Sequence, residues 1–596
     1  MSKPDQDEAA TRRFTAEITE LAEKYRRILQ QQGDWMADDD GFRVMHPMVI
    51  GKAFQEMMTK ALEEPRDLIR DQVAYWTKMG EVWQRAARRV LAEEPVDPVV
   101  TPAPEDRRFK NDAWTDGPGF DLLKQVYLLT AGHIQSSVGK VRGLDEHTRK
   151  KLSFYTRQFV DAMSPANFAL TNPEVLNATV ESRGENLVKG MNHLLEDIER
   201  GRGHWSLKLT DLEGFKVGET LAVTPGKVVF QNEMMQLVQY TPTTETVRQR
   251  PLLIVPPWIN KFYILDLRPQ NSFIRWAVAQ GHTVFLISWV NPDKSHAGKT
   301  FEEYMKQGPL TALDVICEAT GEKKVNAIGY CIGGTLMGVT LGYMAAKRDR
   351  RIASITFFTS LLDFSDTGEI SVFIDEEQIS LMEEHMNRVG YLEGHHLADA
   401  FSMLRDNDLI WSFVIRNYLL GREPMPFDIL YWNSDSTHMP AAMHSFYLRN
   451  MYQKNLLSKP GGITIGGVPI DLGKIKIPTY YLSTREDHIA PWKSTYTGAR
   501  LLAGPVTFVL GGSGHVAGVV NPPPSAKYGY WTHDGLPESP DDWLAAATPH
   551  EGSWWGDWDG WVTQFGGKRV PARQPGDAPL AAIEDAPGSY VKMRIS

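Results

Sequence analysis

The chain has 596 residues, 42% of them hydrophobic and 23% charged, and carries a net charge of −10. That length exceeds what a single hydrophobic core sustains, so two or more packed units are expected. The acidic balance leaves no basic footprint for nucleic acid, and no apolar run approaches the roughly 20 residues that span a bilayer.

The opening stretch "MSKPDQDEAATRRF" is polar and mixed in charge, unlike a secretory signal. Two cysteines, Cys317 and Cys331, make neither a disulfide framework nor a metal cage, so free thiols in a reducing cytoplasm are expected. Residues 10–95 place apolar positions at helical spacing, as in "FTAEITELAEKYRRILQQQ" and "VAYWTKMGEVWQRAARRVLAEE". A proline-rich break at 93–109 closes this segment, and helical patterning resumes through "FDLLKQVYLLTAGHIQSSV". The expected organisation is a helical segment over 1–95, a helical domain over 96–214, a catalytic domain over 215–565 and a tail over 566–596.

From about residue 215 the pattern changes. Six short runs rich in Val, Ile, Phe and Tyr, at 250–259, 282–290, 324–330, 351–364, 477–487 and 505–515, read as strands buried on both faces. Helical stretches at 272–281 and 335–348 lie between them. That alternation predicts an α/β fold with a mostly parallel, doubly wound sheet. More than a hundred residues, 366–475, separate the fourth and fifth runs, too many for a structureless loop, so a folded cap is expected there. The region after "NPPP" is dense in tryptophan, with Trp531, Trp543, Trp554, Trp555, Trp558 and Trp561.

Gly329-Tyr330-Cys331-Ile332-Gly333 spans the end of the third run and precedes a helical stretch, which is the pattern of a nucleophile elbow with sulfur in place of oxygen. Glycines two before and two after leave room for a sharp strand-to-helix turn. A helix start favours thiolate, and the N–H of Ile332 would face a developing oxyanion. Most free cysteines are small core residues, and Cys317, in "ALDVICEAT", is assigned to packing. For Cys331 the order of the downstream acid and histidine favours catalysis. Asp487 stands at the end of the fifth run and His515 on a glycine-rich turn after the sixth, in the hydrolase order of nucleophile, acid and histidine. His515 is then the base for Cys331, with Asp487 either orienting the imidazole or acting on a second proton. Asp363 is a rival acid and His488 a rival histidine. His395-His396 reads as a polar stretch of the cap, and no metal-ligand cluster is expected. A thiolate attacking a thioester keeps the acyl group activated, which points to acyl transfer from a donor such as an acyl-CoA.

"GYCIGGT", "STREDHIAPW" and "GGSGHVAGVVNPP" together resemble the polyhydroxyalkanoate synthases, as do "SPANFALTNPEVL", "DRRFKNDAW", "FDILYWNSDSTHMP", "YLRNMY" and the tryptophan-rich tail. The likeness covers about residues 95–565 and is nearest to class I of that family, which acts as a single chain on short-chain monomers. It implies an α/β-hydrolase domain behind a helical N-terminal domain and polymerisation of (R)-3-hydroxyacyl-CoA, the 3-hydroxybutyryl thioester foremost. CoA is only a leaving group and no cofactor is used. It further implies that Arg405 and His488 sit near the CoA channel, and that Trp432 lies in the cap near a homodimer contact. The implied setting is the cytoplasm, at the polymer granule surface, with phasin-type granule proteins as further partners. One-site and two-site elongation both remain open. An intracellular depolymerase or thioesterase on the same fold is the alternative reading, and a granule-binding protein without catalysis is a weaker one.

Overall fold

In the computed structural model the described residues are 3–594, apart from 39–41, 45, 64, 93–95, 526 and 578. They form two compact units, one made of residues 1–211 with 400–425 and the other of 212–399 with 426–596.

The first unit is helical. Helices α1 (Lys3–Asp38), α2 (Pro47–Glu63) and α3 (Pro65–Leu91) precede further helices at Pro118–Lys140, Glu146–Ala162, Pro173–Glu181 and Glu185–Arg200. The sequence reading divides this region at 95/96. That boundary falls on residues 93–95, outside the described residues, and the flanking helices pack together. Tyr75 on α3 stacks on His133 at 4.5 Å between ring centres and hydrogen-bonds Thr130 at 3.1 Å. Ala53, Val138 and Leu152 share one buried cluster, and Phe109 meets Trp114 edge to face at 5.0 Å in another. Ile415 packs against that second cluster, and Tyr418 accepts from the indole N–H of Trp205 at 2.9 Å. Their apolar partners are on the helical unit, so residues 400–425 leave the expected 366–475 cap and join it.

One face of α3 buries Met79 and Val82, while Ile69, Trp76, Trp83 and Val90, spaced by sevens, are all more than half exposed. A seven-residue spacing keeps these four side chains in one stripe along the helix.

The second unit is built on one eleven-stranded sheet. Its strands are β1 (Gly226–Gln231), β2 (Met235–Tyr240), β3 (Leu252–Val255), β4 (Val284–Trp289), β5 (Val325–Tyr330), β6 (Ile352–Phe358), β7 (Thr479–Thr484), β8 (Val506–Gly511), β9 (Tyr530–Thr532), β10 (Thr548–His550) and β11 (Glu584–Asp585). Their order across the sheet is β10-β9-β8-β7-β6-β5-β3-β4-β2-β1-β11. The six central strands, β8 to β4 in that order, are parallel and coincide with the six runs picked out in the sequence. Antiparallel strands extend both edges. The α/β reading is therefore borne out, with one difference: the segment read as a tail over 566–596 supplies the edge strand β11, paired with β1.

The tryptophan-rich stretch belongs to the core. Helix α4 (Ile332–Lys347) leads away from β5, and helix α5 (Trp555–Val562) places Trp555 and Trp558 beneath the sheet. Trp558 packs on Phe273 at 5.2 Å and gives its indole N–H to Thr356 at 3.0 Å. Trp558→Ala is expected to cost about 3–5 kcal/mol through the cavity it opens. Urea denaturation followed by tryptophan fluorescence measures this. Among the described residues no helix is long and apolar enough to cross a membrane.

Candidate active site

Strand β5 ends at Tyr330 and α4 begins at Ile332, so Cys331 alone makes the turn. It does so at φ 53° and ψ −126°, in the region that favours glycine, at a cost of about 1–3 kcal/mol. The strain is held by neighbours on three sides. The Cys331 N–H donates to the Phe358 carbonyl at 2.9 Å, and the Cys331 carbonyl accepts from Gly334 at 2.9 Å and Thr335 at 3.2 Å. A Cβ at Gly329 would stand 2.5 Å from the Gly334 Cα, and one at Gly333 would stand 2.3 Å from the Val255 carbonyl. Close approach is thus the physical reason for both glycines. Ile332 is buried at the first position of α4, where a helix start leaves its N–H groups without intrahelical acceptors.

Asp487 and His515 lie just beyond the carboxyl ends of β7 and β8. Both are buried, and they meet: Nδ1 of His515 is 2.7 Å from Oδ2 of Asp487. The other oxygen, Oδ1, accepts from the backbone N–H of Ile489 at 2.9 Å and of Ala490 at 2.8 Å, while the Thr484 hydroxyl reaches Oδ2 at 3.3 Å. Both oxygens of the carboxylate are therefore occupied. Tyr330, the residue before the nucleophile, donates to the His515 carbonyl at 3.2 Å and stacks on its ring at 5.8 Å. With Nδ1 on Asp487, the other ring nitrogen is the one left to serve Cys331.

Burial works against a charged imidazole, but the Asp487 carboxylate and the Cys331 sulfur beside it outweigh burial and raise the His515 pKa from 6.5 to about 10. A raised folded-state pKa contributes stability in full below about pH 6.5 and loses it as pH climbs toward 10. The unfolding free energy is accordingly expected to fall across that window, and to fall less in His515→Gln. Denaturant titrations at several pH values check this.

Asp363, the rival acid, accepts from Ser365 and from Asn455 and so holds its own loop. His488, half-buried, adjoins Asp487, but it is His515 that the carboxylate meets. Trp432 is buried in the core of the second unit and donates its indole N–H to the Lys261 carbonyl at 2.6 Å. Arg405 is exposed on the first unit, its guanidinium 2.7 Å from Asp408 in the next turn. Burial pushes the Cys317 thiol up, as suits a packing residue. His396 joins His385 and Glu393 in a cluster with ligand atoms within 4.8 Å of one another, against the expectation that no such cluster exists. There His385 bonds Glu393 at 2.7 Å and the Arg388 cation lies 3.5 Å from its other nitrogen, so hydrogen bonding accounts for the arrangement without a metal.

Tyr447 and Tyr452, both within "YLRNMY", carry no site signal in the sequence; their rings meet at right angles, 5.2 Å between centres. Burial, with the nearby Cys331 sulfur adding to it, holds both phenols neutral far above the usual range. A separate cavity of about 640 Å³, lined by Lys324, Arg348, Lys474 and Lys476, opens at the amino ends of the strands, opposite the triad.

Comparison with known proteins identifies relatives of both units. Residues 105–277 match the family model described as the poly-beta-hydroxybutyrate polymerase (PhaC) N-terminus, and 251–522 match the alpha/beta hydrolase fold. The poly(3-hydroxyalkanoate) polymerase of Methylorubrum extorquens is 52% identical over 89% of this chain and 88% of its own. The PhaC polymerase subunit of Rhizobium meliloti is 51% identical over 89% and 87%, and that of Cupriavidus necator 45% over 87% and 89%. With a cysteine elbow, an ordered acid and histidine, and near full-length identity of this size, the chain belongs to the poly(3-hydroxyalkanoate) polymerases, a family of acyltransferases built on the α/β-hydrolase fold.

Proposed function

We propose that the protein polymerises (R)-3-hydroxyacyl groups, 3-hydroxybutyryl foremost, from their CoA thioesters, through an acyl group held covalently on Cys331. The observation that carries this reading is Cys331 on its strained turn with the His515–Asp487 pair beside it. His515 takes the thiol proton, and the sulfur bonds to the thioester carbonyl carbon. The Ile332 N–H steadies the oxyanion, the bond to the CoA sulfur breaks, and that thiolate recovers the proton from the imidazolium. In elongation the 3-hydroxyl of a second acyl group gives its proton to His515. Its oxygen then forms the ester bond as the Cys331–acyl bond breaks. Asp487, with both oxygens already accepting, is assigned to orienting His515 rather than to a second proton. No metal or prosthetic group takes part, and CoA is only released.

The exposed apolar stripe of α3 supports contact with a hydrophobic granule surface, and homodimers and phasin-type proteins are the further partners of this reading. Product analysis with (R)-3-hydroxybutyryl-CoA tests it. Insoluble polymer and free CoA are expected, whereas soluble hydroxy acid as the main product would replace polymerisation with hydrolysis.

A further inference from the structure

Apart from the chemistry at Cys331, we propose that the cavity of about 640 Å³ at the amino ends of the strands binds a small organic anion carrying two or more phosphates. Lys324 stands just before β5, Arg348 and Arg350 lie between α4 and β6, and Lys474 and Lys476 lie shortly before β7. These three strands are neighbours in the sheet, so their leading ends bring five cations to one hollow of a chain whose net charge is −10. The lining holds one carboxylate, Asp349, and Arg351 already bonds it at 2.7 and 2.9 Å. Lys474 has Asp471 at 3.7 Å, whereas Lys324, Arg348, Arg350 and Lys476 have no ion-pair partner among the described residues. Like charges gathered without counter-ions repel one another, and in a concave site they raise the local concentration of anions.

The end of α4 is also arranged for an anion. Arg348 takes φ 60° at the position closing the helix, where glycine is the usual residue, so a cation is held there against backbone preference. The last carbonyls of a helix repel anions, but here two of them are engaged. Met344 accepts from the Asp349 N–H at 2.9 Å, and Ala345 from the Arg348 N–H at 3.2 Å. Part of the wall is apolar, with Met344, Ile352 and Ile475 buried behind the cations, and the volume is that of an ordinary small-molecule site. The fitting chemistry is clustered phosphates on an apolar or planar body, as in a nucleoside triphosphate or CoA.

Isothermal titration calorimetry of the full chain with ATP, CoA and pyrophosphate, at about 0.15 M salt, tests this. ATP or CoA is expected to saturate the site, the tighter of the two identifying the source. Pyrophosphate should bind at least about tenfold more weakly, because it leaves the apolar wall uncovered. Lys324→Gln combined with Lys476→Gln is expected to weaken binding about tenfold or more, the worth of a charged hydrogen bond, with kcat for 3-hydroxybutyryl-CoA unchanged. CoA held at the triad would be untouched by these substitutions, which separates this site from the catalytic one. No saturable binding of ATP or CoA, undiminished binding by the double variant, or pyrophosphate as tight as either would overturn the proposal. Should the double variant fail to fold, Arg350→Gln carries the same comparison.

Discussion

Replacing Cys331 with alanine is expected to lower CoA release from (R)-3-hydroxybutyryl-CoA by at least about 10⁴-fold, the order seen when a nucleophile is removed from a triad. The other thiol, Cys317, cannot stand in for it: it is half-buried on the helix Thr311–Thr320 and pushed toward the neutral form. The same substitution should abolish the acyl adduct in intact-mass spectra, while circular dichroism shows an unchanged fold. Cys331→Gly separates chemistry from strain. It is equally inactive, yet it removes the Cβ from a residue at φ 53°, so thermal unfolding should shift upward by the equivalent of about 1 kcal/mol. An active alanine variant would remove the nucleophile from the mechanism altogether.

Asp487→Asn is expected to reduce CoA release by about 10³- to 10⁴-fold while the fold is retained. The surroundings dictate which way the amide turns. Backbone N–H groups of Ile489 and Ala490 both point at Oδ1, so the asparagine oxygen must stay there. Its NH₂ is then forced against Nδ1 of His515, and the imidazole must carry its proton on Nε2, where it cannot accept one from sulfur. Loss of the carboxylate also lowers the His515 pKa from its raised value, so the residual activity should show its histidine-dependent limb at lower pH than the wild type. A pH profile of CoA release for both proteins distinguishes this from simple loss of folding.

The six parallel strands could be located in the sequence because buried parallel strands are apolar along their whole length, and the elbow because its glycines are forced by backbone contacts within a few residues. Asp487 and His515 could be picked out by their place after two of those runs. Features decided at long range were harder to see. Whether Trp432 lies in the core or at a surface depends on the Lys261 carbonyl, 171 residues away. Residues 400–425 look like part of one insertion until Ile415 and Tyr418 meet their partners on the helical unit. Strand β11 spans two residues, too short for any periodicity to announce it.

Closing the sheet with so late a strand also bears on biosynthesis. The β1 edge stays uncovered until residues 584–585 have left the ribosome, and the platform beneath β6 lacks Trp558 until shortly before then. The nascent chain must therefore carry a half-finished catalytic domain, with an open strand edge and a hollow underside, through most of translation. Its yield in cells should depend on chaperone supply far more than the stability of the mature protein would imply.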